Sequence, residues 1–274
     1  MNDNQIEMDK ELKAKLVPRS MLFFDVEVTQ HCNLNCKGCD SLAPLAGEEY
    51  LTIEECEKDL RRLSEVSGGI VEHINILGGE PLLHPYIDQF LSLTRRYFPV
   101  GKIVIVTNGI LLKSMGQKFW EACRENQIVL GVTRYPIHLD YDWIKNKVQE
   151  EEVEFQRFGD DRREHWVHTK MDLTGKMDGT ESFLHCWNAN NCTVLEQGRL
   201  YPCPRAAKIR HFNNAFNVNM PISEKDYLII ENIKSLDEIM RFLANPIPFC
   251  RFCCPKSHYE ESWEISEKKM TEWL

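Results

Sequence analysis

The feature that most constrains the fold is a regular alternation of short apolar runs with longer helical patterns, starting near residue 21. The runs MLFFDVEVT (21–29), VEHINIL (71–77), KIVIVT (102–107) and QIVLGVT (127–133) are rich in β-branched residues and read as strands. VEFQRFG (153–159) is a weaker fifth. Between the first two, residues 52–66 open on Thr52 followed by Glu54 and Glu55, a capped helix start. Leu60, Leu63 and Val66 then supply an apolar stripe at helical spacing. Residues 85–97, 110–125 and 140–151 fill the next gaps in the same way. Strand, helix, strand, helix with right-handed crossovers predicts a parallel sheet, open or rolled into a barrel.

The pattern changes after that point. Residues 159–183 are polar and turn-rich and read as a linker or active-site loop. TVLEQGRLYP (193–202) reads as a hairpin with Gln197-Gly198 at its turn. Residues 234–244 form a short amphipathic helix pattern, followed by PFCRFCCP (248–255). The expected organisation is an extension at 1–20, an α/β unit at 21–180 and a cysteine-rich module at 181–274.

Charge and hydropathy narrow the partners. With 33 basic and 42 acidic residues the net charge is −9, which argues against nucleic acid or an anionic membrane. No apolar run approaches the ~18 residues of a membrane span. The first twenty residues have no apolar core of the secretory kind, so a cytoplasmic location is expected. A reducing compartment disfavours structural disulfides, which directs the eleven cysteines toward metal or thiol chemistry. They fall into an N-terminal trio, a C-terminal group of six, and the singletons Cys56 and Cys123, which belong to helices and to the core.

Cys32, Cys36 and Cys39 form C-x3-C-x2-C directly after the first strand. Three thiolates can hold three irons of a [4Fe–4S] cube and leave the fourth iron open, whereas electron-transfer cubes take four cysteines. The alternative is a zinc knob with His31 as fourth ligand. One strand–helix unit later, Gly78-Gly79-Glu80-Pro81 ends the second strand at the carboxyl edge, where α/β folds place ligands. Its glycines would let backbone approach a small molecule, and its carboxylate can accept from an amino group.

These motifs, in this order, resemble the radical SAM superfamily over roughly residues 21–160. The resemblance implies an α/β fold, a partial (β/α)6 barrel. It also implies S-adenosylmethionine (SAM) chelated on the open iron and cleaved by one electron to methionine and a 5′-deoxyadenosyl radical. Gly78, Gly79, Glu80 and Pro81 would then bind SAM. Thr107-Asn108-Gly109 is similar to the family's TNG turn near the SAM ribose and methionine. Thr133 stands where relatives often carry a Ser that contacts SAM. In one departure, Gly38 occupies the position before the third cysteine that is often aromatic, so side-chain stacking on adenine is lost there. An electron donor such as flavodoxin or ferredoxin is implied as a partner.

The second group resembles the twitch module, a shortened SPASM domain with an auxiliary [4Fe–4S] cluster on a small β-hairpin and a C-terminal helix. Cys186, Cys203, Cys250 and Cys253 are its implied ligands, with Cys192 and Cys254 as neighbouring thiols. A four-cysteine zinc ribbon is the alternative. The same spacing is similar to the butirosin-pathway radical SAM dehydrogenase, which oxidises an alcohol on an aminocyclitol. A fully ligated second cluster would relay or accept an electron.

Side chains alternate along a strand, which places Asp25, Glu27, His73, Asn75 and Arg157 on the barrel's inner face. That interior suits a small polar substrate, or else a buried ion-pair network. Candidate bases are His73, Glu27, His165 and His168. His84 is expected to cap or pack the next helix, and Trp187, Phe249, Phe252 and Tyr259 to pack the small module. The expected activity is oxidation or related C–H remodelling of a small polar molecule. The alternatives are maturation of a ribosomal peptide and a zinc-stabilised binding protein without catalysis.

Overall fold

The computed structural model describes residues 14–159 and 165–274, with the side chains of 165–168 and 255–260 outside that description. The five apolar runs become parallel strands: β1 (Phe23–Thr29), β2 (His73–Gly78), β3 (Lys102–Thr107), β4 (Ile128–Thr133) and β5 (Phe155–Phe158). Four helices, α1 (Ile53–Ser67), α2 (Ile87–Tyr97), α3 (Gln117–Glu125) and α4 (Tyr141–Glu150), fill the gaps where the periodicity put them. Helix α1 starts at a capping box. The Thr52 hydroxyl accepts from Glu55 N (3.2 Å), and the Glu55 carboxylate accepts from Thr52 N (3.1 Å).

The pleat of β1 divides its side chains as expected. Leu22, Phe24, Val26 and Val28 enter the main apolar core under the helices, with Ile74 and Ile76 of β2 beside them. Asp25, Glu27 and Thr29 occupy the other face and are also buried. Burial of both faces is the usual condition of a parallel sheet.

On the far edge of β1 the sheet continues with β7 (Val194–Glu196), parallel to β1, then β8 (Arg199–Tyr201) and β9 (Leu228–Ile229). The eight-stranded sheet runs from β5 to β9 and does not close. The β7–β8 hairpin turns through Gln197 (φ 49°) and Gly198 (φ 73°), the two positive φ values of a type I′ turn. Gly198 N donates to the Asp59 carboxylate of α1 (2.9 Å), so the hairpin is pinned to the barrel.

Two segments differ from expectation. The region 159–183 is not wholly loop. Residues His165–Met171 form β6, which leaves the main sheet and pairs antiparallel with β10 (Cys253–Ser262), while Gly179–His185 form α5. Charged and aromatic residues on β6 masked its period. Helix α6 (Pro204–Phe216) was also missed. Its residues from Pro204 to Ile209 are all buried, so it lacks the one-sided stripe by which a helix is recognised. The amphipathic helix α7 (Leu236–Leu243) forms as expected, capped by Ser235.

A second apolar core joins Leu42 of the first cysteine loop to Met171, Tyr201, Phe212, Phe249, Phe252 and Trp273. Phe249 and Phe252 pack there as expected, whereas Trp187 is 76% exposed. The Tyr259 side chain and the charged stretch 160–164 lie outside the described residues. No helix among the described residues is long and apolar enough to cross a membrane.

Candidate active site

Three strand ends converge on the loop that carries Cys32, Cys36 and Cys39. Gly79 N donates to Thr29 O and Glu80 N to His31 O, each at 3.0 Å, so the turn after β2 zips onto the end of β1. A Cβ on Gly79 would lie 2.0 Å from His31 O, and one on Gly78 2.4 Å from Thr29 O. The close approach that these glycines permit is therefore first of all to the chain's own cysteine loop.

Glu80 is buried at the centre. Its Oε1 accepts from the Thr107 hydroxyl (2.6 Å) and Leu82 N (3.1 Å), and its Oε2 from Asn108 N (2.9 Å). Burial raises its carboxyl to about 7 against these donors. Pro81 opens the short 3-10 turn behind it. Asn108 reaches the loop directly, donating to Asn33 Oδ1 (2.7 Å) and toward Cys32 Sγ (3.8 Å). The GGEP and TNG turns and the first cysteine are thus one hydrogen-bonded unit.

The thiols themselves are largely buried. Desolvation raises Cys32, Cys36 and Cys39, with Cys36 reaching about 11, and the neighbouring thiols add to the shift at Cys36 and Cys39. Three thiols held close in a dry loop are disfavoured as bare thiolates, and a cationic iron centre reverses that preference. Donors already point at the sulfurs. Leu34 N donates to Cys32 Sγ (3.4 Å). The Trp263 and Tyr135 side chains lie beside Cys36 and favour its thiolate, and the buried Trp263 indole N–H has no hydrogen-bond partner among the described residues. Such N–H and O–H contacts to sulfur are the environment an iron–sulfur cluster uses. The donor set fits a cluster held at three corners.

The C-terminal segment braces this loop. Lys37 N donates to Glu264 O (2.9 Å), Ser266 N to Asn35 O (2.8 Å), and the Trp273 indole to Cys39 O (3.0 Å). Neither Trp263 nor Trp273 carried any signal in the spacing of the first three cysteines, and Trp273 stands 234 positions from Cys39. Tyr135 stands two residues beyond Thr133, which the sequence had singled out. Thr133 itself is half-buried at the carboxyl end of β4.

The second group of thiols comes together from three segments. Cys186, Cys203, Cys250 and Cys253 line one cavity, with Phe183, Ala189, Ile247 and Phe249 as its apolar walls; Cys192 and Cys254 do not line it. Burial raises Cys203 well above the ordinary thiol range, with Cys186, Cys253 and Cys250 adding to it. Burial also pushes Cys250 up to about 12 and Cys253 to about 11. Cys203 caps α6, accepting from Ala206 N (3.4 Å). Among the described residues no three His, Cys, Asp or Glu side chains gather as tightly as a single metal ion requires. His31, the fourth ligand of the zinc alternative, turns its Nε2 toward the Tyr50 hydroxyl (3.4 Å).

Of the candidate bases, His73 is placed apart from the thiol loop. His73 begins β2, stacked on Phe23 at 4.8 Å, and burial lowers its pKa. The loop lies at the other end of these strands, roughly 17 Å away for six residues of strand. Glu27 is locked to Lys208 Nζ (2.8 Å), which also meets Glu196 (2.9 Å). Asn75 donates to Asp25 (2.8 Å), and Arg157 is exposed on β5. The His165 and His168 side chains lie outside the described residues. His84 packs against Phe90 and accepts from Tyr86 N (3.1 Å), the packing role expected of it. Cys56 and Cys123 are buried in the main core.

Comparison with known proteins agrees with this geometry. Residues 26–142 match the model of the Radical SAM superfamily. Over 148 residues it is 31% identical to GTP 3',8-cyclase of Staphylococcus haemolyticus (strain JCSC1435), covering 52% of this chain and 39% of that one. Over 121 residues it is 31% identical to GTP 3',8-cyclase of Helicobacter pylori (strain HPAG1), covering 43% and 34%. The chain thus spans less than two fifths of the length of these curated relatives. In fold it is similar to the crystal structure of BtrN in complex with AdoMet and 2-DOIA, with a TM-score of 0.53 and 18% identity. That match covers 86% of this chain and 94% of that one.

Proposed function

We propose that this chain is a radical SAM enzyme that oxidises a small polar molecule, with a second iron–sulfur cluster on Cys186, Cys203, Cys250 and Cys253. The observation that carries the reading is the hydrogen-bonded unit of GGEP turn, TNG turn and three-cysteine loop. Cys32, Cys36 and Cys39 would hold a [4Fe–4S] cluster, and Gly78, Gly79, Glu80, Pro81, Thr107, Asn108 and Thr133 would form the SAM side of the site. Cluster and SAM together supply a 5′-deoxyadenosyl radical when bound. This chain's residues position the loop, exclude water from it and line the substrate space.

Oxidation of an alcohol removes a hydrogen atom, a proton and an electron. The inner-wall carboxylates are the proton acceptors that the barrel offers. Burial raises Asp25 to about 7, partly offset by Asn75, and a base poised near neutrality suits proton transfer. Glu27 is the second such group, raised by burial and held by Lys208. The electron would go to the second cluster, and four thiols around one cavity support that placement.

The relatives' name suggests a cyclase as a second reading. Against a triphosphate substrate, the inner face of β1 presents the buried carboxyl groups of Asp25 and Glu27, which favour hydroxylated or aminated molecules over polyanions.

The test is anaerobic reconstitution with iron and sulfide, then SAM and a reductant. The wild type should be brown and release 5′-deoxyadenosine, and Cys32, Cys36 and Cys39 all changed to Ala should release none. A colourless wild type, or cleavage by the triple variant, overturns the reading. With aminated polyols, GTP and a peptide offered in parallel, turnover of GTP alone would establish the cyclase.

A further inference from the structure

Between the two thiol groups lies an ion pair, its arginine buried and its carboxylate half-buried, that neither site requires for ligation. Arg205 is the second residue of α6, two beyond Cys203, and is only 3% exposed. Its Nε and one terminal nitrogen both donate to Asp40 Oδ1, at 2.9 and 2.6 Å. The same guanidinium lies beside Cys253, whose thiolate it favours, and near Cys186. Asp40 directly follows Cys39, and its other oxygen accepts from Asn188 Nδ2 (2.7 Å), two residues after Cys186. One guanidinium therefore pairs with the residue that follows the first group and lies beside a thiol of the second.

We propose that Arg205 is a positioning residue that raises the reduction potential of the auxiliary cluster and couples it, through Asp40, to the SAM-cluster loop. This rests on the auxiliary-cluster reading above. Reduction adds one electron, and hence one unit of negative charge, to a site already ringed by four thiolates. A fixed cation beside one of those sulfurs stabilises the reduced state more than the oxidised one. The site is dry, so the charge is poorly screened. The α6 N-terminus adds to the same effect, since Ala206 N donates to Cys203 Sγ (3.4 Å). Asp40 works the other way and sets how much of the Arg205 charge reaches the cluster. Arginine suits the position because its planar fork serves carboxylate and sulfur together, which a lysine ammonium cannot do as well.

The experiment uses the full chain with Cys32, Cys36 and Cys39 changed to Ala, so that only the auxiliary cluster can form. Iron is counted and the cluster is titrated potentiometrically by EPR, alone and with Arg205→Gln, Arg205→Lys or Asp40→Asn. The parent should hold about four irons. Arg205→Gln should shift the potential down, Asp40→Asn should shift it up, and Arg205→Lys should stay closer to the parent than Arg205→Gln does. If the glutamine variant loses its iron, the opposite displacement in Asp40→Asn and retention in Arg205→Lys still decide. An unchanged potential in Arg205→Gln, or equal shifts in both Arg205 variants, overturns the inference while leaving the cluster in place. A parent that binds no iron removes the auxiliary-cluster reading, and this inference with it.

Discussion

The two thiol groups are built in opposite ways. The first takes three sulfurs from eight consecutive residues, 32–39, and the second takes four from positions 186, 203, 250 and 253. The first is a local loop that three strand ends grip through backbone and short side-chain bonds. The second exists only because α5, α6, β8 and the turn before β10 pack around one cavity. A local site is exposed to small displacements of its neighbours. An assembled site is exposed to loss of global packing.

Lys208→Met gives the largest expected effect. Lys208 is fully enclosed and holds Glu27 and Glu196 on the barrel while α6 carries Cys203 at its start. Removing the cation leaves two buried carboxylates without their shared partner, a loss of ~3–5 kcal/mol. Urea unfolding measures it. Iron analysis should show the second site depleted before the first. Equal loss from both would break the contrast.

Gly79→Ala sharpens it from the other side. The added Cβ meets His31 O at 2.0 Å, backbone against backbone, so the cysteine loop must move. SAM cleavage should fall by about a hundredfold, as expected for a misplacement near 1 Å. Auxiliary iron should be retained in the Cys32, Cys36 and Cys39 triple-Ala background. Unchanged cleavage would mean that the grip of the strand ends is dispensable.

The smallest effect is a slope with pH. Burial raises Asp25 from 3.8 to about 7 in the folded chain. Between those values the folded state holds a proton that the unfolded chain has released. Stability from this group therefore falls as pH rises through about 4 to 7, and stays reduced above. Asp25→Asn should remove that slope, so its Tm relative to wild type climbs across the window. Parallel Tm curves would show that Asp25 is not buried as a neutral acid beneath the sites.

Much of the barrel was legible because its signals are local. Strands β1 to β4 announce themselves as β-branched runs, and Thr52 with Glu55 marks the start of α1 before any tertiary contact is known. The hairpin was equally readable, since Gln197-Gly198 must take positive φ. Helix α6 was not, because its charges point inward to Glu27, Glu196 and Asp40 instead of outward to water. The partners of the cysteine loop were hidden for a related reason. Trp263 and Trp273 act from the far end of the chain, and no spacing rule connects them to Cys36 and Cys39.

By itself the sequence determined the order of strands and helices, the three-cysteine loop at the end of β1 and the turns that follow β2 and β3. Each depends on residues a few positions apart, where propensity and backbone sterics suffice. Only the tertiary structure decided that four distant thiols share a cavity, that β6 abandons the sheet for β10, and that Arg205 stands between the two groups. Those outcomes follow from long-range burial and charge pairing, which arise only once the chain has closed on itself.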